Sequence, residues 1–387
     1  MKPIPYARQN IDAADVAAVT EALNSDWLTQ GPAVERFEQA VAAYCGAKYA
    51  VAVNSATSAL HIACLAAGVG HGDAVWTTPN TFVASANCAL YCGADVDFVD
   101  IDATTYNMSE AELADKLARA REGGRLPKAV VPVDFSGQSC AMERIAALAQ
   151  DFGFSVIEDA SHAIGATYRG DKIGACRYAA MTVFSFHAVK IITSGEGGMI
   201  TTNNRELYER LVLLRSHGIT RDTAKMAGES HGPWYYEQIG LGYNYRMTDI
   251  QAALGASQLA RIDEFVARRR ALAARYDALL GGLPLTLPWQ REKDASAWHL
   301  YVVRLKLDKI AKSHRQVFEE LRAAGIGVNL HYIPVHTQPY YQGLGFRAGD
   351  FPAAERYYAE AISLPMYFGL SDEQQDYVAA TLAKVLA

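Results

Sequence analysis

Short apolar runs alternate with stretches of helical spacing over the first half of this chain, and that alternation leaves few folds open. The runs are Lys48–Val53, Ala74–Thr77, Val96–Asp100, Ala129–Val133, Ser155–Ile157, Met181–Phe184 and Met199–Thr202. They are rich in β-branched residues and too continuously apolar for one-sided strands, so both faces of their sheet must be covered. The covering helices are read at Thr57–Ala67, Phe82–Tyr91, Ser109–Arg119 and Met142–Phe152. Two more precede them. Asp12–Asn24 starts on a capping residue, and Pro32–Cys45 has Pro32 in its first turn and Gly46 at its end. The expected architecture is α/β, with a large, mostly parallel seven-stranded sheet within residues 1–248.

The remainder of the chain changes character. A helical pattern starts at Thr248 and continues through about Leu280. A strand at Tyr301–Leu305, a helix at Arg315–Ala324, a further run at Val328–Tyr332 and a last helix follow. Residues 249–387 therefore read as a smaller α+β domain entered by a long helix. Two domains suit a chain of 387 residues. Just before that helix, Arg221–Gly240 is polar and contains Trp234, Tyr235 and Tyr236. A loop that long inside a compact domain is usually functional.

Composition removes several classes of partner. The formal charge is −6 and no Lys/Arg-rich run offsets it, which argues against a nucleic-acid surface. Cys45, Cys64, Cys88, Cys92, Cys140 and Cys176 show no C-x-x-C spacing, so a reduced, cytoplasmic protein without a metal site is expected. Met1–Tyr6 lacks the apolar core of a signal peptide, and no apolar run reaches the length of a membrane span.

Three segments carry chemistry. Phe154-Ser-Val-Ile-Glu-Asp159-Ala-Ser-His162 places an acid where a buried strand ends, the position at which open α/β sheets bind ligands. Phe184-Ser-Phe-His-Ala-Val-Lys190 places a lysine just beyond another strand, followed by the Gly-rich turn up to Gly198. Most lysines are solvated surface amines. One that points into a crevice is different, because burial lowers its pKa and lets it form a Schiff base. Val53-Asn-Ser-Ala-Thr57-Ser-Ala-Leu60 sets small residues between a strand and a helix, where open N–H groups suit a phosphate. A Walker loop is absent, and Gly68-Val-Gly-His-Gly72 is only a turn. Each segment alone has a bland reading as a loop acid, a surface lysine or a helix cap. Together they supply a Schiff-base lysine, a carboxylate for a pyridine nitrogen and a phosphate cradle, which is what pyridoxal phosphate (PLP) needs.

The same segments resemble the DegT/DnrJ/EryC1/StrS sugar aminotransferases, PLP enzymes of fold type I. The resemblance extends to Gly242-Tyr-Asn-Tyr-Arg-Met-Thr-Asp249 and Ala297-Trp-His-Leu-Tyr301. It implies Lys190 as the lysine that carries the cofactor, Asp159 on its ring nitrogen and His162 against its ring. It further implies Ala56, Thr57 and Ser185 on the phosphate, with Asn244 reaching the phosphate in the partner subunit of a homodimer. Ile4-Pro-Tyr6, Leu28-Thr-Gln-Gly31, Asn54–Ala59, His331-Tyr-Ile-Pro334 and Ala361-Ile-Ser-Leu-Pro365 are most similar to the C4 aminotransferases of pseudaminic acid biosynthesis, a route to flagellin glycosylation. Such enzymes move the amino group of L-glutamate to UDP-2-acetamido-2,6-dideoxy-β-L-arabino-hexos-4-ulose. On that likeness Tyr6, Asp26, Trp27, Leu28, Thr29, Ser55, His331, Tyr332, Ile333 and Pro334 line the sugar-nucleotide site. Trp27 departs from it, standing where a smaller or polar residue is common. Two rival classes are a PLP-dependent sugar dehydratase, whose members with histidine in place of the lysine cannot hold the Schiff base, and a non-catalytic PLP-binding regulator. Lys190 and the lack of an appended basic or helix-turn-helix segment speak against them.

Overall fold

A computed structural model describes residues 3–292 and 294–387. Its main sheet has seven strands: β1 (Tyr49–Val53), β2 (Ala74–Thr77), β3 (Asp95–Phe98), β4 (Ala129–Val130), β5 (Ser155–Asp159), β6 (Met181–Ser185) and β7 (Gly198–Thr202), in the order β1-β7-β6-β5-β4-β2-β3. The pairs from β3 to β6 are parallel, whereas β7 runs antiparallel to both β6 and β1. The mostly parallel, seven-stranded α/β sheet expected from the sequence is what forms.

Side chains alternate across these strands, and both faces are buried. Val51, Val53, Val75, Val183 and Ile200 pack on one side, under α3 (Ala56–Ala66), α4 (Ala84–Tyr91) and α7 (Arg205–Arg215). Ala50, Ala52, Trp76, Val130 and Phe184 face the other way, onto α2 (Pro32–Cys45), α5 (Glu110–Glu122) and α6 (Met142–Phe152). The helix preceding these, α1 (Ala13–Asn24), carries a capping box between Asp12 and Asp15.

The long helix expected from Thr248 is two helices, α8 (Asp249–Leu259) and α9 (Ile262–Leu280). The break falls at Arg261, which leaves helical geometry at φ −110°, ψ 9°. Its guanidinium reaches Asp12 at 2.8 Å and the fully buried Asp15 at 2.6 Å. Ser257 and Gln258 complete that carboxylate's shell. These contacts tie the corner between α8 and α9 to the start of α1, and apolar periodicity cannot report them. α8 packs on α1 and α2, where Gly255 lets the Phe37 ring approach: a Cβ there would come within 2.6 Å of it.

α9 leads to a three-stranded antiparallel sheet, β8 (Leu285–Thr286), β9 (Tyr301–Leu305) and β10 (Ala361–Leu364). Together with α10 (His314–Ala323) and α12 (Asp372–Leu386) it encloses a second core around Tyr276, Tyr301, Val303 and Leu382; α11 (Pro352–Glu360) runs directly into β10. Val328–Tyr332 is not a strand. Asn329 makes one bridge to Ser363 and the segment then turns towards the main sheet. The N-terminal arm follows it: Ile4 is buried beside Ile326, and Gly327 N donates to Ile4 O at 2.7 Å. Arg221–Gly240 carries a short hairpin, Ile219–Thr220 with Glu237–Gln238, and exposes Trp234 and Tyr236. No helix among the described residues is long and apolar enough to cross a membrane.

Candidate active site

Three chain segments converge where the antiparallel β7 enters the sheet. Gly198, its first residue, lies between Val53 at the end of β1 and Ser185 at the end of β6. From Val53 the chain turns into α3, whose N-cap Ser55 accepts from Ser58 N at 3.2 Å. Ser58 Oγ in turn donates to Asn54 at 2.6 Å. No acceptor among the described residues takes the N–H groups of Ala56 and Thr57. They open at the positive end of the helix, an arrangement suited to a phosphate. Gly198 makes the turn possible: a Cβ on it would sit 2.5 Å from Ser55 O and 2.7 Å from Ala56 N.

In front of this turn lies a cavity of about 590 Å³. Lys190 lines it, six positions beyond Phe184, on a loop tied back by Lys190 N to His187 O at 2.9 Å. Burial of its ammonium pushes the pKa down to about 8, although Asp159 pulls the other way. Asp159 ends β5 and lines the same cavity. One of its oxygens accepts from Ser85 Oγ at 2.6 Å, the other from Ser161 Oγ at 2.6 Å and Ser161 N at 3.1 Å. Donors on both oxygens fix the plane of the carboxylate.

An imidazole group fills the next layer. His162 is buried, with Nδ1 3.3 Å from Ser136 N and Nε2 3.1 Å from Tyr332 Oη. His299 packs behind it with ring centroids 4.3 Å apart. His331 is held by Ser363 Oγ at 2.8 Å, and Tyr6 lies against it at 5.6 Å. Burial and the nearby Lys190 drive His331 down to about 4; burial first, then neighbouring Lys190 and histidines, holds His162 and His299 well below the usual histidine range. These three rings are held neutral at physiological pH, which leaves Lys190 as the cation beside them. The set fits PLP: an amine of lowered pKa, a buried carboxylate on the same cavity, open helix N–H groups and a neutral aromatic wall.

The structure brings Tyr6, Ser55, Ala56, Thr57, Asp159, His162, Ser185, Lys190, His331 and Tyr332 together around this cavity. It leaves the other sequence candidates outside. Asp26, Trp27, Leu28 and Thr29 are exposed, because Leu28 O and Thr29 pair with the start of α8. Trp27 instead borders a separate hollow with Arg36 and Ser257. Ile333 is half exposed, and Pro334 is buried next to the contact from Val335 N to Pro79 O. Asn244 is exposed and bridges to Ser216. Sequence reasoning missed Ser85, Ser161, Ser136 and His299. Ser161 lies between two named motif residues and was within reach; Ser85 and Ser136 join only through tertiary contact.

Comparison with known proteins agrees with this geometry. Residues 9–383 match the model of the DegT/DnrJ/EryC1/StrS aminotransferase family. The spore coat polysaccharide biosynthesis protein SpsC of Bacillus subtilis is 42% identical over 380 residues, covering 97% of this chain and 95% of its own. The UDP-4-amino-4,6-dideoxy-N-acetyl-beta-L-altrosamine transaminase of Campylobacter jejuni is 37% identical over 387 residues, covering 99% and 97%. Among solved structures, Helicobacter pylori PseC, an aminotransferase of pseudaminic acid biosynthesis, superposes with a TM-score of 0.90 at 34% identity, covering 100% of this chain and 99% of PseC.

Proposed function

The chain belongs to the DegT/DnrJ/EryC1/StrS aminotransferase family, and from that premise we propose that it aminates C4 of a UDP-linked 4-keto sugar with L-glutamate as donor. It is a sugar aminotransferase, and enzymes of this family use PLP. One observation carries the aminotransferase chemistry: Lys190, Asp159 and the open end of α3 meet on a single cavity.

Bound there, PLP supplies an electron sink for the carbanion left when the donor's Cα loses its proton. The chain's own groups do the rest. Lys190, with a pKa of about 8, gives and takes that proton near neutral pH. Asp159 offers a fixed negative charge to a protonated ring nitrogen. His162 would cover the ring, while Ala56 N, Thr57 and Ser185 would hold its phosphate. Amino donor and keto acceptor use the same groups in turn, so the kinetics should be ping-pong.

The sugar is read as UDP-2-acetamido-2,6-dideoxy-β-L-arabino-hexos-4-ulose, in support of pseudaminic acid biosynthesis in the cytoplasm. The altrosamine transaminase and PseC support this reading. Asn244, Asp26–Thr29, Ile333 and Pro334 belong in it as residues that serve a site completed by a second copy, in a closed two-fold homodimer. Residues 1–248 form its cofactor-holding body and residues 249–387 the smaller one. Trp27, standing where a smaller or polar residue is common, favours a second reading, another nucleotide-linked 3- or 4-keto sugar. Glutamate alone should convert the bound cofactor to its pyridoxamine form, seen by absorbance. A panel of 4-keto UDP- and dTDP-sugars then identifies the acceptor; turnover of dTDP-sugars only would reject the UDP reading.

A further inference from the structure

His162 has both ring nitrogens engaged, and its two partners differ in kind. At Nδ1 the partner is the backbone N–H of Ser136, 3.3 Å away. A peptide N–H only donates, so Nδ1 is a bare acceptor. Burial keeps the ring neutral, with Lys190 and His331 acting in the same direction. A neutral imidazole carries one proton, which therefore sits on Nε2. Nε2 lies 3.1 Å from Tyr332 Oη, so the phenol oxygen accepts from His162. The phenol's own proton must point elsewhere. Tyr332 lines the cavity, and no other described residue takes that proton.

Ser136 is held in place to do this. It sits at φ 59°, a left-handed conformation that is unfavourable for a non-glycine residue. Its carbonyl accepts from His299 N at 2.8 Å. The next residue, Gly137, has φ 101° and no room for a Cβ, which would meet His162 O and Trp298 N at 2.9 Å. Strain of this kind persists where the surroundings over-determine it, often at functional sites.

We propose that Tyr332 is a fixed hydrogen-bond donor to an oxygen of the ligand in the cavity, its polarity imposed by the Ser136 N–H through His162. This rests on the aminotransferase reading above, in which the acceptor is either the cofactor's ring oxygen or the carbonyl oxygen of the keto substrate. The direction matters because both oxygens gain negative charge or a proton during transfer. A donor aimed at them stabilises that change, whereas an acceptor would oppose it.

The test has a part that needs no turnover. In apoprotein carrying ¹⁵N-labelled histidine, NMR at neutral pH should show His162 with a bare Nδ1 and a protonated Nε2, and Tyr332→Phe should keep that tautomer. A proton on Nδ1, or on both nitrogens, overturns the proposal. In the holoenzyme, Tyr332→Phe should lower kcat by about 10²-fold, the usual cost of one such donor, with the melting temperature unchanged. If the acceptor is on the cofactor, the absorption maximum shifts and the glutamate and sugar half-reactions both slow. If it is on the sugar, the spectrum and the glutamate half-reaction stay normal and only the sugar half-reaction slows. Wild-type rates in both half-reactions overturn the proposal. Failure of the wild type to convert its cofactor with glutamate would instead reject the aminotransferase reading, leaving the tautomer measurement to stand.

Discussion

Gly198→Ala tests whether the turn from β1 into α3 is the phosphate cradle. Gly198 has no positive φ, so alanine is allowed by the backbone and the entire cost is steric. The new Cβ would lie 2.5 Å from Ser55 O, 2.6 Å from Ser55 C and 2.7 Å from Ala56 N, where ordinary contact begins at 3.4 Å. All three are backbone atoms, so no side-chain rotation relieves the clash. The Ser55–Ala56 peptide must move by most of an ångström, and overpacking of this kind costs about 1–3 kcal/mol. That shift carries the Ala56 N–H off a bound phosphate, and a hydrogen bond to a charged group contributes about 1.5–3 kcal/mol. One such loss weakens PLP binding by about 10–100-fold. The assay titrates apoprotein with PLP and, separately, with pyridoxal, which lacks the phosphate. Affinity for PLP should fall while affinity for pyridoxal changes much less. An equal loss for both ligands, or none for PLP, would refute the cradle.

Four further outcomes follow from the same geometry. In apoprotein, acylation of Lys190 should be half-maximal near pH 8, since only the neutral amine reacts; a midpoint near the ordinary lysine value would show that the amine is not desolvated. Asp159→Asn is nearly isosteric but neutral, so turnover should drop by about 10²-fold or more while PLP still binds, and near-normal rates would mean another acid serves the ring nitrogen. Glu158, buried on the other face of β5, is pushed up to about 7 by desolvation, so from about pH 4.3 to 7 the folded state holds more protons than the unfolded chain and stability falls as pH rises; Glu158→Gln should gain stability relative to wild type at pH 8 but not at pH 4, and an equal difference at both would refute it. Mixing Lys190→Ala with Asn244→Ala subunits should restore activity above either parent if Asn244 serves the neighbouring site, and tag-confirmed heterodimers without recovery would place it in its own chain.

The sheet was readable because each strand buries both faces, so its composition is dictated within a few consecutive residues. Asp159, Lys190 and Ser55–Thr57 were readable for a related reason, since strand ends place them whatever the rest of the chain does. Contacts made across long separations were not. Ser85 reaches Asp159 over 74 positions, and nothing in the α4 sequence marks it. Arg261 breaks the expected long helix because Asp15, 246 positions earlier, needs a cation, while the local pattern continues as if unbroken. Asn244 and Asp26–Thr29 show a different limit. A family likeness can name them, but a single chain leaves them on its surface.

The antiparallel course of β7 has a consequence for how such an enzyme can diversify. Phe186 N bonds Gly197 O at 2.9 Å and Ser194 N bonds Phe186 O at 3.0 Å, so the Lys190 loop is closed at both ends by the strand pair that continues from it. An insertion or deletion there would shift the lysine or break the ladder, and lineages should conserve its length. Tyr6 and Asn329–Leu330 reach the same cavity from pieces anchored elsewhere: Asn329 bridges to Ser363 in β10, and Tyr6 O accepts from Met366 N just beyond that strand. Those can drift in length and composition without disturbing the lysine. Mutation there can thus reshape one wall of the cavity while Lys190 and Asp159 are inherited unaltered.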